Sequence, residues 1–260
     1  MKPSFLVCAA LALTLLPSST AWAQRNRDRD RDRDHAREVE REYQEAQSRV
    51  DTTFAFSRTG VVDLTQISGD IVVTAWDRAE ARIRAYAERG RVQSSLSSSR
   101  LTLQIESVRG RVGDSRFEIS VPVGVRVLAK SRSGDVSVRG TKGPVTAEST
   151  SGDVQVTDAT DRVAIESVSG DVRASQLNGE VRASSVSGTI EIHEVTGDIR
   201  AETTSGDVSL LGATSKSVVA NTVSGQIEYE GNIDASGRYE FHAHSGDIRL
   251  EIPEATSAQF

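Results

Sequence analysis

Residues 151–210 read SGDVQVTDATDRVAIESVSGDVRASQLNGEVRASSVSGTIEIHEVTGDIRAETTSGDVSL, and the period of this stretch decides the fold. Ser-Gly-Asp or a close variant recurs with its glycines at Gly134, Gly152, Gly170, Gly188 and Gly206, 18 residues apart. Gly225 and Gly246 continue the series after one and three extra residues. A weaker turn falls halfway, at Gly143, Asp161, Gly179 and Gly197. Self-similarity at a fixed period is the signature of stacked structural units. Each unit here is two halves of nine residues, a short strand plus a turn.

Apolar residues keep the same period. After the strong turns come Val136/Val138, Val154/Val156, Val172/Ala174, Ile190/Ile192, Val208/Leu210, Ile227/Tyr229 and Ile248/Leu250. After the weak turns come Val145/Ala147, Val163/Ile165, Val181/Ala183, Ile199/Ala201, Val218/Ala220 and Tyr239/Phe241. A spacing of two puts each pair on one face of a strand. The intervening Arg173, Arg182, Glu191, Arg200 and Glu228 are polar and face out. A helical reading fails, because the 3.6-residue period is absent and glycine recurs too often.

Two strands per 18-residue coil predict an all-β, parallel β-solenoid whose coils stack about 4.8 Å apart. An antiparallel meander fits the same alternation, but stacked identical turns favour the solenoid. A third inward position carries Ser131, Ser149, Ser167, Ser185, Thr203 and Thr222. These read as an internal hydroxyl ladder, each bonding its neighbour or a turn carbonyl. Glycine permits a positive φ at each corner. The flanking Ser and Asp bond nearby backbone. Asp135, Asp153, Asp171 and Asp207 therefore read first as turn residues. The alternative is a column of cation ligands, as in the calcium-binding β-roll, whose coil has the same length. One glycine per turn, and Thr189 and Gln226 in the acid column, weigh against calcium.

Residues 51–130 read as an N-terminal β region that caps the repeat of 131–260. Val62, Leu64, Ile71 and Val73 flank Ser68-Gly69-Asp70 with the offsets of the later coils. Leu101/Leu103/Ile105 and Phe117/Ile119/Val121 alternate as strands. A solenoid needs covered ends, because an open coil is an adhesive sheet edge. Trp76 is expected to pack within the cap.

The N-terminus reads as a secretory signal peptide over 1–23. Lys2 is the positive start, Phe5–Leu16 the apolar run, and Ala21-Trp22-Ala23 the small-x-small cleavage pattern. Cys8, the only cysteine, leaves with it, so the mature fold has no disulfide. Residues 24–50 form a charged linker, disordered or helical, in which Arg25 to Arg33 alternate with Asp28 to Asp34. Such a stretch buries too little apolar surface to offset its ordering entropy. No second apolar run spans a membrane. The net charge of -6 argues against nucleic acid.

No catalytic constellation stands out: there is no Gly-x-Ser-x-Gly elbow, no phosphate loop and no dinucleotide fingerprint. His242 and His244 share one outward face but lack a third nearby metal ligand. No cofactor is expected. The best enzyme alternative is a periplasmic carbohydrate-active β-helix lyase or hydrolase. Such coils carry long loops that build a cleft, and this repeat leaves little room for loops.

The order of segments resembles the bacterial putative-adhesin family, a domain-of-unknown-function family of β-strand-repeat envelope proteins. The resemblance rests on LTQISGDIVVTAWD (64–77), FEISVPVGVRVLAKSRSGDVSVRG (117–140), VTAESTSGDVQV (145–156) and IRAETTSGDVSL (199–210). It covers about residue 52 to the end. It implies surface attachment; with the signal peptide and the lack of a catalytic constellation, the expectation is an exported, non-catalytic protein of the periplasm or cell surface with an adhesin-like or scaffolding role. The partner, whether envelope component, glycan or protein, is not specified by these motifs, and the resemblance supplies no binding residues.

The final EIPEATSAQF resembles ISVPVGVRVLAK, with Pro253 in the place of Pro122 and Ala258 and Phe260 in inward positions. The sequence stops there in mid-strand. The expectation is therefore that further coils follow in a longer chain, or that another chain covers this end. In the repeat itself, Val154, Val172, Ile190 and Val208 are expected to form one buried column. Val172→Asp should cost several kcal/mol, measured by urea unfolding, because it buries an unpaired charge.

Overall fold

The 18-residue period becomes a parallel ladder because equivalent residues of successive coils pair directly. The structure is a computed structural model and describes residues 48–107 and 113–252. The expected signal peptide, nearly all of the linker, and Pro253, Ala258 and Phe260 lie outside the described residues. One face of the solenoid stacks β8 (Arg126–Ser133), β10 (Val145–Ser151), β12 (Val163–Ser169), β14 (Val181–Ser187) and β16 (Ile199–Ser205). It continues into the second halves of β17 (Val208–Ser224) and β18 (Ile227–Ser245). The other face stacks β9 (Val136–Arg139), β11 (Val154–Thr160), β13 (Val172–Asn178) and β15 (Ile190–Thr196). The first halves of β17 and β18, and then β19 (Ile248–Glu251), complete it. These strands make about 7 turns of a parallel β-solenoid.

The register matches the repeat residue for residue: Val154 pairs with Val172, Val172 with Ile190, and Ile190 with Val208. All four are buried. The hydroxyl ladder takes one of its two expected forms. Ser149, Ser167, Ser185, Thr203 and Thr222 each donate to a glycine carbonyl of the coil before, at 3.1–3.3 Å. They do not bond one another. Each hydroxyl thus satisfies a turn acceptor that the ladder leaves over. Ser131 is the exception: it pairs in register with Gln66, and its Oγ has no partner among the described residues.

The turns need glycine for two reasons. The expected positive φ occurs at Gly69 (109°), Gly134 (136°), Gly206 (156°), Gly225 (152°) and Gly246 (143°), but Gly170 and Gly188 are not in that region. What excludes a side chain there is the coil beneath. A Cβ on Gly188 would lie 2.7 Å from the carbonyl carbon of Gly170 and closer still to its oxygen. One on Gly170 would lie 2.6 Å from the carbonyl carbon of Gly152. The half-period turn stacks likewise: a Cβ on Gly197 would lie 2.7 Å from the carbonyl carbon of Gly179.

The second strand of each coil is not straight. Gly140, Asp158, Gln176, Glu194 and Gly212, again 18 apart, all take a left-handed conformation with φ between 53° and 77°. This bend inserts one residue into the in–out alternation. It turns Ala159, Leu177, Val195 and Ala213 into the core, four inward positions that a strict period of two would have placed differently. Three non-glycine residues accept the strain because their side chains point to solvent at a corner.

The N-terminal region is threaded out of sequence. β2 (Val61–Ser68) and β3 (Asp70–Trp76) form a coil that stacks directly under β8 and β9. The chain then leaves through β4 (Glu80–Ala87) and β5 (Arg91–Leu96). It returns as an outer coil of β6 (Arg100–Glu106) and β7 (Ser115–Pro122), beneath β2 and β3. β4 lies antiparallel to β7, β1 (Ser48–Ala55) antiparallel to β4, and β5 antiparallel to β6. Antiparallel strands break the parallel stacking direction and close this end. Two expected boundaries shift as a result. Ser48, Arg49 and Val50, read as linker, already belong to β1, and the border between Lys130 and Ser131 falls inside β8. That border followed the first inward serine, whereas the ladder is continuous across it.

At the other end the coils lengthen and aromatic rings replace aliphatic side chains. Tyr229 is fully buried against Tyr239 and Phe241, with ring centroids 6.1 and 5.3 Å away, and its hydroxyl donates to the Asn232 carbonyl at 3.0 Å. Burial raises its pKa to about 12. Its folded pKa lies above the unfolded value of about 10, so its contribution to stability is complete below pH 10 and is lost as pH rises toward 12. Phenolate absorbance should therefore show a late phase near pH 12, and Tyr229→Phe should abolish it. The stacked turns give a second expectation. Gly188→Ala should cost about 2–4 kcal/mol in urea unfolding, because coils must part to admit the Cβ. Gly140→Ala, whose nearest neighbour would be at an ordinary 3.7 Å, should cost only about 1–2 kcal/mol of left-handed strain.

Candidate functional site

The aspartate column holds coils together. Asp135, Asp153, Asp171 and Asp207 each accept, through Oδ1, the backbone N–H of the equivalent residue one coil on, at 2.7–3.0 Å. Asp70 does the same for Asp135 at 3.3 Å. The mutual repulsion of this column is met by a side chain. Arg173 donates to Asp153 at 2.9 Å, Asp171 at 2.9 Å and Glu191 at 3.0 Å. Its own pKa rises, through the hydrogen bond to Asp153 above all. Among the described residues, no three His, Cys, Asp or Glu side chains gather as a metal set. His242 and His244 do share one exposed face of β18.

Trp76 departs from expectation. It lies half-buried on the outer face of β3 instead of inside the cap, because Ile71 and Val73 take the inward places and even-numbered residues point out. Its indole N–H donates to the Glu80 carbonyl at 2.7 Å, and Arg78 covers the ring at 5.0 Å.

The irregular outer face around Trp76 is the most distinctive surface of the protein. Three adjacent strands, β1, β4 and β7, place Arg49, Tyr86 and Arg116 in one row across the sheet. The next row is Asp51, Arg84 and Glu118. Together with Val50 and Ala85 they line a hollow of about 750 Å³. A smaller hollow of about 210 Å³ shares Arg84 and Glu118 and runs on to Trp76. Tyr86 is 39% exposed, and among the described residues it is the only aromatic side chain so open to solvent.

The arginines here are not tied down as Arg173 is. Arg84 approaches Glu118 only to 3.7 Å, and Arg116 reaches Glu118 at 3.5 Å and Asp70 at 4.0 Å. Arg49 has no carboxylate partner among the described residues. Asp51 leans toward Arg82 at 3.6 Å. Arg84 stands between Asp51 and Glu118 in the register. The two acids therefore face guanidinium groups, not each other across a gap. Sequence reading missed this face. Its three aligned residues are 30 or more positions apart, and only the antiparallel insertion of β4 brings them together.

Fold and surface together define a parallel β-solenoid with one closed, irregular end that carries a cationic, aromatic face. The sequence profile of the Toastrack DUF4097 family matches residues 126–201 and again 195–260, more than half of the chain. The protein belongs to that family. Its fold is shared by the crystal structure of a "putative adhesin" from Bacteroides fragilis NCTC 9343, with a TM-score of 0.55 and 16% identity. That alignment covers 78% of this chain and 97% of the other. A second "putative adhesin", from Parabacteroides distasonis ATCC 8503, aligns at a TM-score of 0.45 and 10% identity, covering 78% and 93%. No curated protein sequence matches the chain.

Because the acids of the column are already bonded to backbone and to Arg173, EDTA or added calcium should shift the melting temperature little. Arg173→Met should remove about 1–2 kcal/mol in calorimetry, since it leaves Asp153 and Asp171 facing each other without a counter-charge.

Proposed function

We propose that this protein is an exported, non-catalytic envelope or surface β-solenoid that acts by adhesin-like binding. The observation that carries the reading is the row Arg49–Tyr86–Arg116, where hydrogen-bond donors and an aromatic ring are presented to solvent by rigid strands. Donors carried on a stiff sheet suit recognition, because the backbone has no ordering entropy left to lose on binding. Membership in the Toastrack family and a fold shared with a "putative adhesin" support it. Among the described residues no helix is long and apolar enough to cross a membrane.

Enzyme chemistry is the less favoured reading. Glycoside cleavage needs two carboxyl groups held across the scissile bond, and here Arg84 fills the space between Asp51 and Glu118. The test is to incubate the full chain with immobilised envelope material and follow both retention and release of sugar ends. Retention without cleavage is the expected result. Turnover of any polysaccharide, or failure to be retained at all, would overturn the reading. Fractionation of cells producing the full chain should place it outside the cytoplasm.

A further inference from the structure

The cap face also indicates what is bound. Resting on the binding role above, we infer that the hollow at Arg49, Tyr86 and Arg116 takes a carboxylate-bearing saccharide, a uronic-acid unit of an acidic glycan. The side chains pair two kinds of group in adjacent places. A guanidinium fork matches a carboxylate through two parallel N–H···O bonds. An open tyrosine ring offers an apolar face with a polar tip for a sugar ring. Neighbouring strands lie about 4.8 Å apart, and the register puts an arginine on each side of Tyr86.

The donors are available for this. Among the described residues, the guanidinium groups lining the hollow make only long ion pairs, Arg116 with Glu118 at 3.5 Å and Asp70 at 4.0 Å, and Arg84 with Glu118 at 3.7 Å. Arg173, by contrast, is committed to three acids at 2.9–3.0 Å. The charge also runs against the rest of the molecule. Three arginines face two acids in this hollow, while the whole chain carries -6. A volume of about 750 Å³ exceeds what a lone phosphate would fill and falls within the usual size of a small-ligand site. The adjoining hollow at Arg84 and Trp76 continues the track, so a chain of sugar units fits better than a single one.

The test is calorimetric titration of the full chain with trigalacturonate, its neutral trigalactose counterpart and inorganic phosphate. The acidic trisaccharide should bind, weaken with added salt, and exceed the neutral one by about tenfold or more. Arg49→Gln and Arg116→Gln should each reduce its affinity about tenfold. Tyr86→Phe should bind normally and Tyr86→Ser poorly, with unchanged circular dichroism in all four. Arg238→Gln, in the far coil, should behave as wild type. Equal affinity for the neutral sugar, or wild-type affinity in the arginine variants, would overturn the assignment. Phosphate binding as tightly as the trisaccharide would reduce the site to an adventitious ion only. If the chain adheres to envelope material and trigalacturonate neither binds nor competes, this site falls and the adhesion reading stands. If trigalacturonate binds through Arg116 while envelope material is not retained, the reverse holds.

Discussion

At each strong turn a glycine rests on the carbonyl of the glycine one coil below, with no space for a Cβ between them. The remaining order depends on this contact. It fixes the spacing of coils at the distance of a hydrogen-bonded ladder, and it locks the register, since a slip of one residue would put a side chain into the contact. With register fixed, the hydroxyl ladder can reach the same glycine carbonyls, and each aspartate can reach the N–H above it. The turn and the strand end before it thus supply a donor (Ser149), a close contact (Gly152) and an acceptor (Asp153) within five residues. Buried backbone groups that would otherwise lack partners are satisfied coil by coil.

The same regularity limits what the repeat can do. Outward side chains on a solenoid recur every coil, so a face built only from repeats offers a uniform surface. Some of the charged residues there pair across coils, as Lys130 does with Glu148 and Arg162 with Glu180, both at 2.9 Å. Exposed pairs of this kind contribute about 0.2–1 kcal/mol each. A distinct site requires a break in the pattern. The antiparallel strands of the cap provide one: they close the end against edge pairing and at the same time bring non-equivalent residues side by side. Stability at the closed end and a singular surface therefore arise from one structural feature.

The two ends solve the problem of termination differently. At the N-terminal end the chain doubles back, so that Gly69 heads the stack on which Gly134 rests, 65 residues later in sequence. Toward the other end the coils widen by one and then three residues, and Tyr229, Tyr239 and Phe241 fill the larger cross-section. Larger rings occupy the extra volume that Val and Ile columns would leave empty.

The sequence by itself determined the coil: its length, its inward columns, the hydroxyl ladder and the parallel stacking are all consequences of an 18-residue period written in glycine, β-branched residues and serine. It also placed Ser68-Gly69-Asp70 within the stack, because local offsets survive any threading. The bend at Asp158, Gln176 and Glu194 was not legible, since three unlike residues share only a backbone conformation that the coil imposes. The order of the cap coils and the outward turn of Trp76 were likewise decided by tertiary structure. So was the meeting of Arg49, Tyr86 and Arg116. Those residues lie on strands paired by long-range, antiparallel contacts, and periodicity carries information only about neighbours one period away.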